Sequence, residues 1–325
     1  MNTSQKLLSL VIGVGLVASQ LGCATNCYQD ATGTHCTAKS LKRFDGPPPA
    51  VQVFDRAPGA PVTVDVLYGN VTVQRSTSGK IEVQFLPFAY QGYDEQALAT
   101  REMTQNLRTS AVASNGVVAT VSRQGGSNGV GAGVVVRLPD DFDGALNIVN
   151  RGGGPLNEFN VQVDFVGRAS AVNINNQSIL GSCSLRGAPT VRTTTVDCGD
   201  EVAVWDVTDA VTISSRDTSH DGPNPAIQVR LAALPAGSRG GSITSASGAV
   251  SVTLPAAGGY VVAAQSPVKG AVQEGALPAG CAKQEASAQN KTITCGQGPT
   301  FQVTAGANPG PLGRDRPSDV VLAYQ

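Results

Sequence analysis

From residue 61 to the end, apolar and polar residues alternate in runs of about strand length, and this pattern leaves little besides β structure open to the chain. Side chains on a strand point to opposite faces in turn, so alternation buries one face and wets the other. "PVTVDVLYGNVTVQ" puts Val62, Val64 and Val66 on one face, then Val71 and Val73 after "YGN". "KIEVQF" repeats the pattern with Ile81, Val83 and Phe85. "GVVATVS", "ALNIVN", "EVAVWDV", "AVTISS", "AIQVRL", "TFQVTA" and "DVVLAY" continue it, many bounded by Gly, Asn, Asp or Pro. One stretch departs. "DEQALATREMTQNLR", residues 94 to 108, lacks alternation and is rich in helix formers. The expectation is an all-β body with one inserted α-helix.

Two segments match each other. "VVVRLPDDFDGALNI", residues 134 to 148, and "VSVTLPAAGGYVVAA", residues 250 to 264, both run from spaced valines through Leu-Pro and a turn into another strand. Proline cannot donate to a ladder, so Leu-Pro marks where a strand stops. Self-similar strands joined by short turns predict coils stacked in a β-helix-like solenoid at ~4.8 Å per rung.

The stretch "GSITSASGAVSVTLP", residues 241 to 255, followed by "YVVAAQS" and Gly270-Ala271-Val272, resembles the "putative adhesin" families of bacterial envelope proteins. "VTVDVLYGNVTVQRSTSGKIEVQF" resembles their amino-terminal strands, and many members carry a helix where residue 100 falls. The resemblance covers residues 61 to 325 and implies a β-helix-like solenoid. It brings no catalytic residues with it.

The amino terminus reads as an export signal. Lys6 precedes "LLSLVIGVGLVAS", too short to span a bilayer. "QLGC" resembles the lipobox of bacterial lipoproteins, which implies cleavage after Gly22 and a diacylglycerol on Cys23. The alternative is cleavage near Val17-Ala18-Ser19, leaving Cys23 free or paired. Removing Cys23 from seven cysteines leaves three short-range couples: Cys27 with Cys36, Cys183 with Cys198, and Cys281 with Cys295. In an oxidising compartment such couples become disulfides. Six cysteines allow fifteen pairings, of which nearest-neighbour pairing is the simplest. The expected order is a signal peptide over 1–22, a lipid-anchored disulfide loop and Pro-rich tether ("FDGPPPAVQ") over 23–60, and a solenoid over 61–325.

Composition narrows the function. Charged residues are 14% of the chain, below the ~25% of an average domain, and the net charge is −1. Nucleic acid is therefore not an expected partner. No CxxC occurs, and His35 and His220 are far apart in sequence, so no metal or other cofactor is expected. "RDTSHDG" groups Asp217, Ser219, His220 and Asp221 but reads as a polar turn rather than a triad. "DDFDG", residues 140 to 144, lacks the spacing of a calcium loop. "RGGGP", residues 151 to 155, lacks a phosphate-loop context. Trp205 suits either a sugar-stacking platform or the core, and a lone tryptophan on a strand more often packs in the core. The expected function is a non-catalytic envelope lipoprotein of the outer membrane, presenting its solenoid to polysaccharide or another envelope protein. The alternative is a lyase or glycosidase on a β-helix scaffold, which needs paired carboxylates about 5–9.5 Å apart.

Overall fold

The computed structural model describes residues 24–30, 33–39, 41–92, 95–125, 129–152, 158–217, 224–307 and 318–325, with side chains from residue 41 onward. A hairpin of β1 (Ala24–Asp30) and β2 (Gly33–Lys39) sets Cys27 opposite Cys36 in the backbone register. The expected signal peptide, Cys23 and the side chains of Cys27 and Cys36 lie outside the described residues. No described helix is long and apolar enough to cross a membrane.

The body consists of two large sheets that face each other, and the chain passes between them repeatedly. A first coil holds β5 (Val62–Val66) in the second sheet and β6 (Val71–Arg75) in the first. Then come β7 (Ile81–Gly92), α1 (Gln96–Asn106) and β8 (Leu107–Ala113), followed by a coil of β9 (Val117–Arg123) and β10 (Val130–Leu138). Five coils follow in sequence: β11 (Ala145–Asn150) and β12 (Val161–Val163), β13 (Ala171–Asn176) and β14 (Cys183–Arg186), β15 (Thr193–Cys198) and β16 (Val202–Val207), β17 (Ala210–Ser215) and β18 (Ile227–Leu231), β19 (Gly240–Ser245) and β20 (Val250–Leu254). Next are β21 (Tyr260–Gln265) with β22 (Val272–Glu274), the hairpin β23 (Cys281–Ser287) and β24 (Asn290–Cys295), and finally β25 (Thr300–Thr304) with β26 (Val320–Tyr324).

Within each sheet the coils pair in parallel and in register, as a solenoid requires. The helix falls inside the stretch that broke the alternation. Inward residues form continuous stacks: Val64, Ile148, Ile174, Val196, Ile213, Ile243 and Val303 on the second sheet. Val73, Val163, Leu185, Val204, Val229, Val252 and Leu322 face them from the first. All belong to one core running the length of the stack. Branched side chains suit such stacking because χ1 is already restricted and little entropy is lost on burial.

Where the chain leaves the second sheet, buried asparagines tie the turns. Asn150 Nδ2 donates to the Gly69 carbonyl at 2.9 Å, and Asn176 Nδ2 to the Phe159 carbonyl at 2.9 Å. Asn176 Oδ1 accepts from the Ser178 N–H at 3.2 Å, so buried backbone groups find partners without water.

The coil order is not the chain order at either end. β5 and β6 lie between β9–β10 and β11–β12, and β25 and β26 lie between β19–β20 and β21–β22. The two Leu-Pro segments are the crossings that step over these inserted coils. Pro139 follows β10 and leads to β11, and Pro255 follows β20 and leads to β21. Part of the stretch expected as a tether belongs to the body: β3 (Leu41–Asp45) and β4 (Gln52–Phe54) pair with β7.

Two disulfides are formed, Cys183–Cys198 and Cys281–Cys295. The first joins the start of β14 in one sheet to the end of β15 in the other, inside the core. The second staples neighbouring antiparallel strands at directly opposed positions. Each closes a loop of about 15 residues, worth about 3 kcal/mol by the loop-entropy account.

Candidate functional site

The outward residues of the first sheet form two rows across the coils. One row runs Gln162, Ser184, Ala203, Gln228 and Ser251. The other, two residues further along each strand, runs Asp164, Arg186, Trp205, Arg230 and Thr253, with Asp164 placed by its N–H on the Val73 carbonyl. Neighbours within a row stand ~4.8 Å apart.

The first row makes a cleft. Ser184 and Ala203 are short and lie between the longer Gln162 and Gln228, leaving a hollow of about 270 Å³. Asn160, Ser182, Glu201 and Pro225 close its far side. Glu201 is the one carboxylate among its lining residues.

Trp205 is not in the core. It sits partly exposed on the outer face, between Arg186 and Arg230 in the ladder, which corrects the expectation that it packs inside. The reason is its phase: Val204 and Val202 point inward, so Trp205 must point out. Immediately after it the strand bulges. The register with β18 shifts between Trp205 and Val207, and Asp206 adopts φ 63°, the left-handed region that a non-glycine residue seldom occupies. The bulge turns the Asp206 carboxylate onto Arg230, whose Nε and terminal nitrogen donate to its two oxygens at 3.0 and 2.9 Å. A bidentate clamp of this kind fixes a guanidinium's plane. Arg186 is exposed and makes no ion pair among the described residues.

Two other hollows lack this combination. One is bordered by Pro61, Ile81 and residues 113–117, the other by Gln265, Gln284, Lys291 and Gln302 on the second sheet. No aromatic side chain lines any of the three hollows, Trp205 standing in the row beside the first, and Lys291 at the last is bound to Glu274 at 2.6 Å.

The remaining sequence candidates do not converge. In "DDFDG", Asp143 accepts from the Gly59 N–H at 2.9 Å and Arg56 at 2.8 Å, while Asp141 meets Arg56 at 3.0 Å. The Gly59 N–H foremost, helped by the arginine's hydrogen bond and charge, holds the Asp143 carboxyl below its usual range against the opposing effect of burial. These carboxylates pin the turn to Arg56. No metal-ligating cluster occurs among the described residues. Ser219, His220 and Asp221 lie outside the described residues, as do Gly153, Gly154 and Pro155. The carboxyls that depart from ordinary values, Glu82, Asp143, Asp209 and Glu274, all move down. A glycosidase acid must move up.

Sequence reading found Trp205 but missed Arg186, Arg230, Gln162 and Gln228. They come from three different strands at uneven intervals, and only the register brings them into line.

No family model matches the chain, and no curated protein matches it. Among solved structures, a putative cell adhesion protein from Clostridium sporogenes ATCC 15579 aligns at 12% identity and TM-score 0.33, over 88% of this chain and 100% of its own. A putative adhesin from Bacteroides fragilis NCTC 9343 aligns at 10% identity and TM-score 0.28, over 88% and 98%.

Proposed function

We propose that this is an exported, non-catalytic envelope protein that holds polysaccharide against the outer face of its first sheet. The observation that carries the reading is Trp205, set partly exposed between two arginines beside a cleft lined by amides and hydroxyls. Aromatic faces stack on the C–H faces of sugar rings, while amides, hydroxyls and guanidinium groups meet ring hydroxyls. The in-register sheet beneath is rigid, so the site is organised before it binds. Another envelope protein is the competing occupant. A lyase or glycosidase draws no support from Glu82, Asp143, Asp209 and Glu274, the carboxyls that depart from ordinary values, which are all shifted toward ionisation.

Two disulfides fit an oxidising compartment outside the cytoplasm. In this reading residues 1–22 are removed, lipid on Cys23 holds the chain at the outer membrane, and the residues from Cys23 lead to the body, which β3 and β4 join. Several acyl chains give stable anchoring where one does not.

The test has two arms. Cys23→Ala is expected to move the protein from the membrane to the soluble fraction, and unchanged membrane fractionation overturns the anchor. The oxidised protein is expected to co-sediment with purified envelope polysaccharide without raising reducing ends. Trp205→Ala should lower that retention at least tenfold, and Thr212→Ala, on the outer face of the second sheet, should leave it unchanged. Equal loss in both variants, or release of reducing ends by the wild type, overturns the reading.

A further inference from the structure

The charges around Trp205 say more about the ligand. Arg230 is spoken for by Asp206, and Arg75, near the amino-terminal end of the same sheet, meets Asp140 at 3.2 Å. Arg137, further along the second row, faces Glu82 at 3.7 Å. Arg186 has Asp164 as its neighbour on one side of the ladder and Trp205 on the other. Glu201 brings a further negative charge to the cleft. The face therefore carries both signs in near balance, and the whole chain has a net charge of −1. A site for a polyanion needs an excess of positive potential, and this one has none.

The polar groups suit an uncharged ligand instead. Gln162 Nε2 donates to Asp164 at 2.8 Å, which leaves the amide oxygen as an acceptor toward the cleft. Gln228, Ser184 and Ser182 bring both donors and acceptors. Sugar hydroxyls both donate and accept, so a mixed lining satisfies them, whereas a carboxylate or sulfate needs donors alone. The cleft lies two residues from Trp205 along the strand, about 6.7 Å. A ring stacked on Trp205 thus has its chain neighbour over Ser184 and Ala203.

We infer that, within the polysaccharide-holding function proposed above, the ligand is an uncharged chain of pyranose units, one ring stacking on Trp205 and the next seated between Gln162 and Gln228. Arg230, oriented by Asp206, meets hydroxyls of the stacked ring from one side, and Arg186 from the other.

Trp205 is the chain's single tryptophan, so its fluorescence reports this site alone. The oxidised protein is titrated with galactomannan, mixed-linkage glucan and dextran as uncharged probes, and with alginate and polygalacturonate as charged ones. Calorimetry runs in parallel at low and high salt. The expected result is a blue-shifted emission with at least one uncharged probe and an affinity that changes less than twofold from 50 to 500 mM salt. Gln162→Ala combined with Gln228→Ala should weaken that affinity at least tenfold, and Trp205→Phe should weaken it less than Trp205→Ala in calorimetry. Binding confined to alginate or polygalacturonate and abolished by salt overturns the uncharged-ligand inference and leaves the polysaccharide reading standing. Binding of uncharged probes that survives both the double substitution and Trp205→Ala moves the site elsewhere and overturns the inference. No response to any of the five overturns both.

Discussion

Asp206 shows how a single residue can be held in a costly conformation because of what its neighbours gain. A non-glycine residue in the left-handed region is disfavoured by roughly 1 kcal/mol. Its return is the clamp on Arg230, but both side chains are about 40% exposed (41% and 38%), so water screens the pair and its worth is only about 0.2–1 kcal/mol. The two effects nearly cancel, and their magnitudes separate two substitutions. Asp206→Gly removes the strain together with the clamp and should shift stability by less than about 1 kcal/mol. Asp206→Ala keeps the strain and loses the clamp, so it should cost the clamp's worth, about 0.2–1 kcal/mol in urea unfolding. Equal effects would mean that strain is not stored there. The sequence marked Trp205 but not its face, because alternation alone does not say which of two phases is buried. Arg186 and Arg230 carried no local signal, since their meaning lies in pairing with another strand.

At the scale of elements, strands with an apolar inward row were legible and strands without one were not. β11, β13, β17 and β20 alternate visibly, buried against half-buried or exposed. β23, "CAKQEAS", has no buried residue and owes its place to pairing with β24 and to the Cys281–Cys295 bond. β22 and β24 also break the apolar rule at the end of the stack. Glu274 pairs opposite the inward Leu322, and Lys291 opposite the inward Ala264, and the two side chains meet at 2.6 Å. Lys283 adds a second contact to Glu274 at 2.7 Å. Inward charges on a terminal coil stop another sheet from adding on. The lysine contacts, Lys283 first and Lys291 second, hold the Glu274 carboxyl below its ordinary value against the effect of burial. A depressed folded value gives stability that is complete above the unfolded value of about 4.3 and is lost as pH falls through the folded one. Glu274→Gln should therefore cost roughly 1–2 kcal/mol at pH 7 and almost nothing once pH is below the folded value. Chemical unfolding across pH 2 to 7 checks this, and a variant with an unchanged acid limb would contradict it.

Across the whole molecule, the sequence announced a stack but not the order of its coils. Alternation specifies a period and a face, whereas coil order depends on which distant strand each edge meets. The repeated Leu-Pro segments were the one trace of it, because both mark the crossings that step over an inserted coil. At the carboxyl end this has a mechanical consequence. β19 and β21 each pair with β25, and β20 and β22 each pair with β26. The last two strands are therefore what joins the terminal coil and its hairpin to the rest of the stack. They contribute Phe301, Val303, Val320 and Leu322, all at most 1% exposed. At about 1.5–3 kcal/mol for each buried side chain, their removal forfeits roughly 6–12 kcal/mol, comparable with the whole stability of an ordinary domain. The loss should stay local, because in a stacked fold each coil contacts mainly its neighbours. Deleting residues 300–325 should thus abolish amide-exchange protection across β21 to β24 and leave β11 to β16 protected. The bared edges of β19 and β20 should make the shortened protein self-associate. A synthetic peptide of residues 300–325 should restore both protection and the monomer, as an added strand does when it fills a vacant ladder. Unchanged protection over β21 to β24 in the deletion would show that the inserted coil does not bind the end together, and a global loss that includes β11 to β16 would show that the stack is a single cooperative unit.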